Sequence, residues 1–453
     1  MSTSPARQSA PLSVSLLACA EVVQAVGEGQ SMTDALANVP SELRPGVQAL
    51  SFHTMRYLGW ARAVKGALIT RPLTHRLLDA LIDVSIALLK PTDAASKAAM
   101  IDYATAAMPA YAPYTVVDQA VSAADSRPDM VPFKGLINGS LRRFLREREG
   151  VEDHIARSAE ARWNHPLWWV DLVRNVYPKQ WQDILAGAQR PAPLTLRVNR
   201  RRHTREAVLA AFEQAGIGAR AVGDAGIMLA QPRPVTQLPG YAEGWWSVQD
   251  AGAQQAAPLL EVRDGMRVLD ACAAPGGKTA HLLELADIEL LALDADSARL
   301  KRVDENLDRL GLRTPGVTLA CADAADLDKW WDGKPFDAVL ADVPCTASGI
   351  VRRHPDIRWL RHHEDIARTA RLQRKILDAL WRTVAPGGKL LYVTCSIFPA
   401  EGVKMATEFE RRHEDCTRLP APGQLLPVAA DASDATLQTD HDGFFYALFA
   451  KRA

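Results

Sequence analysis

This 453-residue sequence has few closely spaced cysteines, no long apolar runs and no net charge. Its six cysteines include no Cys-x-x-Cys pair, which argues against zinc and, in a chain of this length, against a disulfide framework. No apolar run is long enough to span a membrane, and the stretch 11–20 lacks the basic flank and cleavage site of a signal peptide. Zero formal net charge disfavours a nucleic-acid partner. These absences predict a cytoplasmic protein that needs neither a membrane nor a metal.

The stretch from Met266 to Leu285 lacks two common glycine-rich phosphate motifs, Gly-x-Gly-x-x-Gly and Gly-x-x-x-x-Gly-Lys-[Ser/Thr]. Cys272 stands where the second motif needs its first glycine, so a triphosphate ligand is disfavoured. The stretch does contain an apolar run ending in Asp270, a loop of small residues, and apolar residues at helical spacing. Strand, tight loop and helix bring backbone N–H groups and a helix N-terminus up to a ligand. A nucleotide-like cofactor is the favoured interpretation, and a plain tight turn is the alternative.

The chain is too long for one ordinary core, and its patterns predict three domains. Residues 1–150 are predicted to be all helical, and residues 160–245 to form a small α/β domain. From 246 to 453 strands and helices alternate, which predicts a doubly wound parallel sheet. The predicted fold class is therefore α/β, with a Rossmann-like domain preceded by an all-α domain and a small α/β domain.

Two basic stretches stand out against the zero net charge. Residues 134–148 are predicted to form an amphipathic helix whose polar face is basic. Such a face is more often solvated surface, but it can also contact phosphates. Residues 197–205 carry five arginines and a histidine with no acid among them. Because this run adjoins a predicted strand, we interpret it as an edge that contacts phosphates.

Acids follow successive predicted strands of the doubly wound sheet, and in such sheets ligands bind at the carboxyl ends of the strands. Asp294 ends the strand after Asp270, where a nucleoside site has the acid that accepts hydrogen bonds from ribose hydroxyls. Asp323 follows the next strand and is predicted to meet an adenine amino group. A lone acid at a strand end is often only a helix cap, but three at successive strand ends favour a nucleoside cofactor.

Two further strands are followed by cysteines, in Asp342-Val-Pro-Cys345 and Thr394-Cys-Ser396. A single buried cysteine is more often core than nucleophile, but two at the ligand edge, one near Asp342, favour chemistry. Cytosine C5 takes a methyl group only after a thiolate has added to C6, because that addition gives C5 carbanion character. An acid near N3 and N4 helps by holding the proton that the ring acquires. Cysteine, acid and nucleoside cofactor together suit pyrimidine C5 methylation.

These motifs resemble those of the RNA (cytosine-5) methyltransferases of the Nol1/Nop2/Sun family, and more narrowly of its bacterial Sun/Fmu type, which acts on small-subunit ribosomal RNA. The segments that carry the resemblance are Asp270–Thr279, Asp342–Gly349, Arg352–Trp359, Thr394–Ser396 and Asp442–Tyr446. A further match, Lys134–Gly139, corresponds to a helical domain similar to the antitermination factor NusB that only some members carry. The resemblance covers nearly the whole chain, and Val343 in place of the usual alanine is a small departure.

The resemblance implies an all-α NusB-like RNA-binding domain, a small RRM-like α/β RNA-binding domain and a Rossmann-like catalytic domain. It implies S-adenosylmethionine as the cofactor and 16S ribosomal RNA, naked or in a partly assembled subunit, as the partner. The residues that it assigns to the cofactor are Cys272, Ala273, Ala274, Pro275, Gly276, Gly277, Lys278, Asp294, Asp323 and Asp342. It assigns catalysis to Asp342, to Cys395 as the C6 nucleophile, and to Cys345 as the group that assists product release.

Three alternatives stay open at the level of sequence. Pyrimidine methyltransferases acting on DNA use the cysteine of the Pro-Cys motif as nucleophile, and spacing alone cannot choose between Cys345 and Cys395. Transfer-RNA methyltransferases share the catalytic motifs, so transfer RNA is a second substrate class. An RNA-binding assembly factor that has lost activity is a rival of another kind, and the intact cysteines and cofactor loop speak against it.

Overall fold

The chain folds into two compact units, of which the computed structural model describes residues 10–90, 109–428 and 440–453. The helical unit comprises Met1–Pro191 and Val351–Arg361. The sheet unit comprises Ala192–Ile350 and His362–Ala453. Within the described ranges, no helix is both long and apolar enough to cross a membrane.

The helical character predicted for residues 1–150 is confirmed wherever the structure describes them. The helices of this unit are Leu12–Gly27, Met32–Ala37, Arg44–Leu68, Arg76–Leu88, Pro113–Asp125, Lys134–Arg146, Arg148–Ile155, Ala159–Trp163, Leu167–Val176, Trp181–Gly187 and the single turn Ile357–Leu360. The predicted amphipathic helix at 134–148 is Lys134–Arg146. It buries Ile137, Leu141 and Phe144 in the core, which leaves its basic side chains on the outer face.

The segment Val351–Arg361 comes from much later in the chain and completes the core of the helical unit. Arg358 is fully buried there, and its guanidinium donates to the backbone carbonyl of Ala188 at 2.8 Å. The indole Nε1 of Trp359 donates to the carbonyl of Met55 at 2.8 Å. One of the motifs that carry the family resemblance therefore stabilises the helical unit.

The sheet unit begins with a small antiparallel sheet. Its strands are β1 Thr195–Val198, β2 Ala219–Val222, β3 Gly226–Leu229 and β4 Trp246–Val248, in the order β2-β3-β1-β4. The helix Arg205–Gln214 packs on it through Val208 and Phe212, as the predicted α/β pattern requires. The sheet extends past residue 245, because Leu196 pairs with Val248 and draws β4 into it. The other boundaries of the three predicted domains stay a prediction.

A seven-stranded sheet forms the remainder of the sheet unit. Its strands are β5 Arg267–Asp270, β6 Glu289–Asp294, β7 Val317–Cys321, β8 Phe336–Asp342, β9 Val384–Thr394, β10 Cys416–Leu425 and β11 Phe444–Lys451. Their order is β10-β11-β9-β8-β5-β6-β7, and β5 to β9 are parallel. The helices in this part of the chain are Ala256–Leu260, Gly277–Leu285, Ser297–Leu310, His363–Thr383 and Val403–Arg412. The predicted Rossmann-like α/β fold is confirmed.

Two strands at one edge correct the expectation of a wholly parallel sheet. β11 pairs antiparallel with both β9 and β10. The sequence does not predict β10, because the two prolines and the glycine of residues 416–425 are typical of a loop. An edge strand tolerates proline, since one row of its N–H groups needs no partner in the sheet. The carboxyl ends of β5 to β9 remain the place where a ligand is expected.

Candidate active site

The loop after β5 is held by close backbone contacts. Gly276 has a φ of 99°, in the left-handed region that favours glycine, and a Cβ there would lie 3.1 Å from the Cα of Val303. The N–H of Ala273 donates to the carbonyl of Leu293 at 2.7 Å, which joins the loop to β6. The helix Gly277–Leu285 begins directly after the loop. The predicted arrangement of strand, tight loop and helix N-terminus is confirmed.

Asp294 and Asp323 stand at the ends of neighbouring strands in different surroundings. Asp294 is 4% exposed, and its two carboxylate oxygens accept from the N–H groups of Ala274 at 3.1 Å and Asp296 at 3.0 Å. Each oxygen keeps a second lone pair that can accept from a ribose hydroxyl. The Asp323 side chain is 51% exposed, and one of its oxygens accepts from the N–H of Ala325 at 2.9 Å. Contact of either acid with a cofactor stays a prediction.

Replacing Asp294 by alanine is expected to weaken S-adenosylmethionine binding by about 10- to 100-fold, because charge-assisted hydrogen bonds contribute roughly 1.5–3 kcal/mol. RNA affinity should change little, since Asp294 is buried at the end of β6 and its side chain bonds the loop after β5. Calorimetry with the cofactor and a filter-binding assay with RNA measure the two effects. The matched control is Asp308→Ala, an exposed acid on the next helix. An unchanged cofactor affinity in Asp294→Ala would remove this residue from the site.

Lys278 and Asp342 form an ion pair between the start of the helix Gly277–Leu285 and the end of β8. Their Nζ and Oδ2 atoms are 2.5 Å apart, and the side chains are 12% and 28% exposed. Burial lowers the pKa of Lys278, but Asp342 and then Cys395 outweigh it, so the pKa is raised overall and the ammonium group stays charged. The ion pair therefore lies within electrostatic reach of Cys395.

Asp270, at the end of β5, is a buried acid that should make stability depend on pH. Burial, with the charge of Asp342, raises its pKa to about 7 although Thr279 donates a hydrogen bond to it at 2.7 Å. The unfolded chain titrates near the ordinary value of about 3.9. The folded state therefore holds this proton more tightly, and stability is lost as pH rises from about 4 through 7.

Asp270→Asn should remove this loss, because asparagine keeps an acceptor for Thr279 and carries no charge. We expect the variant to gain stability over wild type as pH rises from 4 to 7, by up to roughly 4 kcal/mol, since one pKa unit corresponds to about 1.4 kcal/mol. Thermal unfolding at several pH values measures the gain, with the exposed Asp153→Asn as control. A difference between Asp270→Asn and wild type that does not vary with pH would contradict the prediction.

The structure brings the two predicted cysteines together, with their sulfurs 3.4 Å apart. Cys345 follows β8 and Cys395 follows β9, and these two strands are parallel neighbours in the sheet. Backbone hydrogen bonds fix the two loops to each other, since the N–H of Gly349 donates to the carbonyl of Cys395 at 2.9 Å. Asp342 ends β8, so all three predicted catalytic residues lie at one edge of the sheet.

The thiols of Cys345 and Cys272 both resist ionisation, for different reasons. The hydrogen bond with Cys395, followed by burial and by the charges of Cys395 and Glu401, raises the pKa of Cys345 well above its usual range. Cys345 is thereby kept as a thiol that can donate toward the sulfur of Cys395. Burial, with the charge of Asp342, also raises the pKa of Cys272, which makes it a neutral part of the loop.

Arg197 contradicts the predicted phosphate-binding edge. It is fully buried, and its guanidinium donates to the two carboxylate oxygens of Glu284 at 2.8 and 2.7 Å. It also donates to the carbonyl of Gly277 at 2.7 Å. No acid stands next to Arg197 in the sequence, because its partner Glu284 is 87 residues further along the chain. The prediction is wrong for Arg197, which instead holds the start of the helix Gly277–Leu285.

Two other arginines of the run bind carbonyl groups in the last turns of two helices. Nε of Arg201 donates to the carbonyl of Leu283 at 2.5 Å, and Nε of Arg202 donates to that of Leu310 at 2.9 Å. Such carbonyls lack partners within their helix and carry partial negative charge, so a cation binds them well. The charges of Arg197, Arg201 and Arg202 thus serve packing within the sheet unit, whereas phosphate contact by the exposed Arg200 stays a prediction.

Two buried residues that contact the cysteine loops are missing from the predicted site. Nε2 of Gln373 donates to the carbonyl of Pro344 at 2.9 Å, and the carboxylate of Glu401 accepts from the hydroxyl of Ser396 at 2.7 Å. The only sequence signal is a glutamate soon after the second cysteine motif. A polar residue at such a position is indistinguishable from a surface one until the fold is known.

Residues 257–450 match a family model described as 16S rRNA methyltransferase RsmB/F, and residues 165–236 match the RsmF/B-like ferredoxin-like domain. A relative from Vibrio cholerae, ribosomal RNA small subunit methyltransferase B, is 38% identical over 97% of this chain and 98% of its own length. The chain belongs to the RsmB/F family. As an RsmB/F protein it is an RNA methyltransferase, which confirms the resemblance in its sequence.

Solved structures share the fold of this RsmB/F protein. The crystal structure of PH0851 covers 97% of the chain and 99% of its own with a TM-score of 0.75 at 23% identity. The structure of NSun6 from Pyrococcus horikoshii with SFG covers 64% of the chain and 98% of its own with a TM-score of 0.56 at 20% identity. At these identities the likeness shows the fold alone.

Proposed function

We propose that this RsmB/F protein methylates C5 of a cytosine in 16S ribosomal RNA through a covalent bond between Cys395 and C6. The observation that carries the proposal is the 3.4 Å separation of the Cys345 and Cys395 sulfurs at the strand end that also holds Asp342. C5 methylation requires a thiol that activates the ring, an acid beside the ring and a base for the C5 proton, and the second thiol can supply that base. The relatives' names favour ribosomal over transfer RNA, since they read ribosomal RNA small subunit methyltransferase B.

The first steps belong to Cys395 and Asp342. The thiolate of Cys395 adds to C6 of a base that has been unstacked into the site, and N3 takes up a proton from water. The carboxylate of Asp342 holds that proton by a hydrogen bond until the ring double bond is restored and N3 gives the proton up. Lys278 stays paired with Asp342 and keeps positive charge beside the reacting atoms. S-adenosylmethionine, when bound, supplies the methyl group that C5 then attacks.

Cys345 acts when the product is released. Its pKa is raised first by the hydrogen bond with Cys395, and this cause disappears once the sulfur of Cys395 is bound to C6. Cys345 can then give its proton to water, and the resulting thiolate accepts the proton on C5. The electrons of the broken C5–H bond restore the ring double bond, and Cys395 leaves as a thiolate.

The residues of the cofactor loop fit a nucleoside without phosphates. Asp294 offers lone pairs for ribose hydroxyls, and the small residues 272–277 let a ligand approach the backbone. Lys278 is the loop's one cation, and its charge is already matched by Asp342 at 2.5 Å. S-adenosylmethionine carries a ribose and no phosphate, so we propose that Cys272 to Lys278 hold it together with Asp294, Asp323 and Asp342.

RNA binding is proposed for a groove of about 940 Å³ in the helical unit. The charged, polar and aromatic side chains that line it are Tyr114, Asp118, Lys134, Asn138, Arg142 and Arg146, so its cations outnumber its one acid. Tyr114 is 78% exposed, and an exposed ring offers a surface on which an RNA base can stack. The arginines supply positive charge for the phosphates on either side of such a base.

Neutralising the groove in Arg142→Gln/Arg146→Gln should weaken RNA binding. The slope of log affinity against log salt should flatten by about 1.4, because each of the two lost phosphate contacts to a single strand removes roughly 0.7 from it. The control is Arg143→Gln on the same helix, whose charge is already paired with Glu147 at 2.8 Å. If the affinity and the slope of the double variant match wild type, this face is merely solvated.

Bisulfite sequencing of 16S ribosomal RNA and transfer RNA, from cells with and without the gene, tests the proposed function. One cytosine of 16S ribosomal RNA should be methylated only when the gene is present, and the wild-type gene should restore it. We expect the methylation to occur in the bacterial cytoplasm, where ribosomal RNA is made. Loss of a mark from transfer RNA alone would assign the other substrate class, and loss of no mark would contradict cytosine methylation.

A further inference from the structure

One fully buried carboxylate, Glu401, connects the two cysteine loops. From the loop of Cys345 it accepts the N–H of Thr346 at 2.8 Å and also the hydroxyl of Thr346. From the loop of Cys395 it accepts the hydroxyl of Ser396 at 2.7 Å. Two of the residues bonded to Glu401, Thr346 and Ser396, are thus the immediate neighbours of the two cysteines in the chain.

The same carboxylate is anchored to the rest of the sheet unit. The hydroxyl of Thr369 donates to it at 2.6 Å and the amide of Gln373 at 3.2 Å, both from the helix His363–Thr383. The backbone carbonyl of Glu401 accepts from the hydroxyl of Tyr392 on β9 at 2.6 Å. All five groups bonded to the side chain are donors, which matches a carboxylate, because its oxygens only accept.

We propose that Glu401 is a positioning residue that sets the distance between the sulfurs of Cys345 and Cys395. Five hydrogen bonds to one buried charge make a rigid support, and they act together with the backbone hydrogen bond from Gly349 to Cys395 in holding the two sulfurs 3.4 Å apart. The inference rests on the proposed function for its catalytic meaning. The sulfur–sulfur distance itself can be tested without RNA or cofactor.

Two substitutions test the charge of the Glu401 side chain and its length separately. Glu401→Gln keeps the length but places an amide, itself a donor, against hydroxyl donors. Glu401→Asp keeps the charge but is one methylene shorter, so it cannot bond both loops at once. Ser396→Ala is a milder third variant that removes a single bond, and it keeps the test informative if the other two fail to fold. The matched control is Glu408→Gln, a half-buried acid that is paired with Arg374 on a neighbouring helix.

Diamide oxidation of the full chain reports the distance between the thiols. The reagent takes up the two thiol hydrogens and becomes a hydrazine while a bond forms between the sulfurs. Peptide mass spectrometry follows the Cys345–Cys395 disulfide separately from the other four cysteines. We expect the disulfide to form at least about tenfold more slowly in Glu401→Gln and Glu401→Asp than in wild type, because the loss of alignment lowers effective molarity. Ser396→Ala should show a smaller fall, and Glu408→Gln none.

Methylation kinetics supply the second readout. In Glu401→Gln the turnover number should fall by about 100-fold, which is the cost of roughly 1 Å of misplacement, while KM for RNA stays within about threefold. Wild-type rates in both assays for all three variants would overturn the inference, as would slow turnover with an unchanged rate of disulfide formation. If wild type itself makes no 5-methylcytosine, the proposed function fails. Slower disulfide formation in the variants would then still support Glu401 as the residue that sets the distance.

Discussion

Cys395→Ala is expected to bind RNA and S-adenosylmethionine normally but to form no methylated product and no covalent RNA adduct. Cys345→Ala should behave in the opposite way and accumulate a protein–RNA adduct that survives denaturing gel electrophoresis. The two results differ because Cys395 forms the bond to C6 and Cys345 removes the C5 proton. Without the Cys395 thiolate nothing adds to C6, whereas without Cys345 the methylated base keeps its C5 proton and cannot expel Cys395.

Gel electrophoresis with labelled RNA, with and without cofactor, measures both outcomes. The control is Cys321→Ala, an exposed cysteine that the proposed chemistry does not use. The reverse pattern, with an adduct in Cys395→Ala and none in Cys345→Ala, would exchange the roles and place the chain with the DNA-type mechanism. Adducts in neither variant would leave Cys395 without support as nucleophile.

Asp342→Asn should lower the turnover number by about 10²- to 10⁴-fold, the range found when a positioned proton donor or acceptor is lost. Asparagine has almost the same shape, but it cannot hold the proton that the ring acquires when Cys395 adds to C6. Cofactor affinity should fall far less than turnover. Single-turnover methylation measures the first effect and calorimetry measures the second.

A second cause of inactivity must be separated from the first, because Asp342→Asn also leaves the ammonium group of Lys278 without its partner. Removing one member of a fully buried ion pair costs about 3–5 kcal/mol by itself, and the cost for this partly exposed pair is smaller. The double variant Asp342→Asn/Lys278→Met removes both charges. If activity returns in the double variant, the unpaired lysine was the cause. Continued inactivity supports Asp342 as the group that holds the proton.

Much of the site follows from sequence because parallel strands align their carboxyl ends at one edge of the sheet. Once β5, β6, β8 and β9 are recognised as strands, Asp270, Asp294, Asp342, Cys345 and Cys395 must lie near one another. Local apolar runs of strand length were enough to identify those strands. The 3.4 Å between the two sulfurs depends on loop geometry, which no local pattern encodes.

Arg197 shows why the other part of the prediction failed. A window of sequence shows the sign of neighbouring charges, and by that measure residues 197–205 are a basic surface. The charge of Arg197 is compensated by Glu284, 87 residues further along the chain. Glu401 was missed for the same reason, since its donors come from residues 346 to 396. Buried polar networks are built from distant residues, and they become visible only with the fold.

The late arrival of Val351–Arg361 in the helical unit has a consequence for protein synthesis. The ribosome makes residues 1–191 first, and the carbonyls of Asn164 and Ala188 then have no Arg358 to bind. The growing chain must complete most of the sheet-forming strands before residue 361 leaves the exit tunnel. The core of the N-terminal helices therefore stays partly exposed to water until the ribosome has made a segment that begins 160 residues after residue 191. A fragment cut at residue 191 is a translation intermediate, and it lacks part of the core of the finished unit.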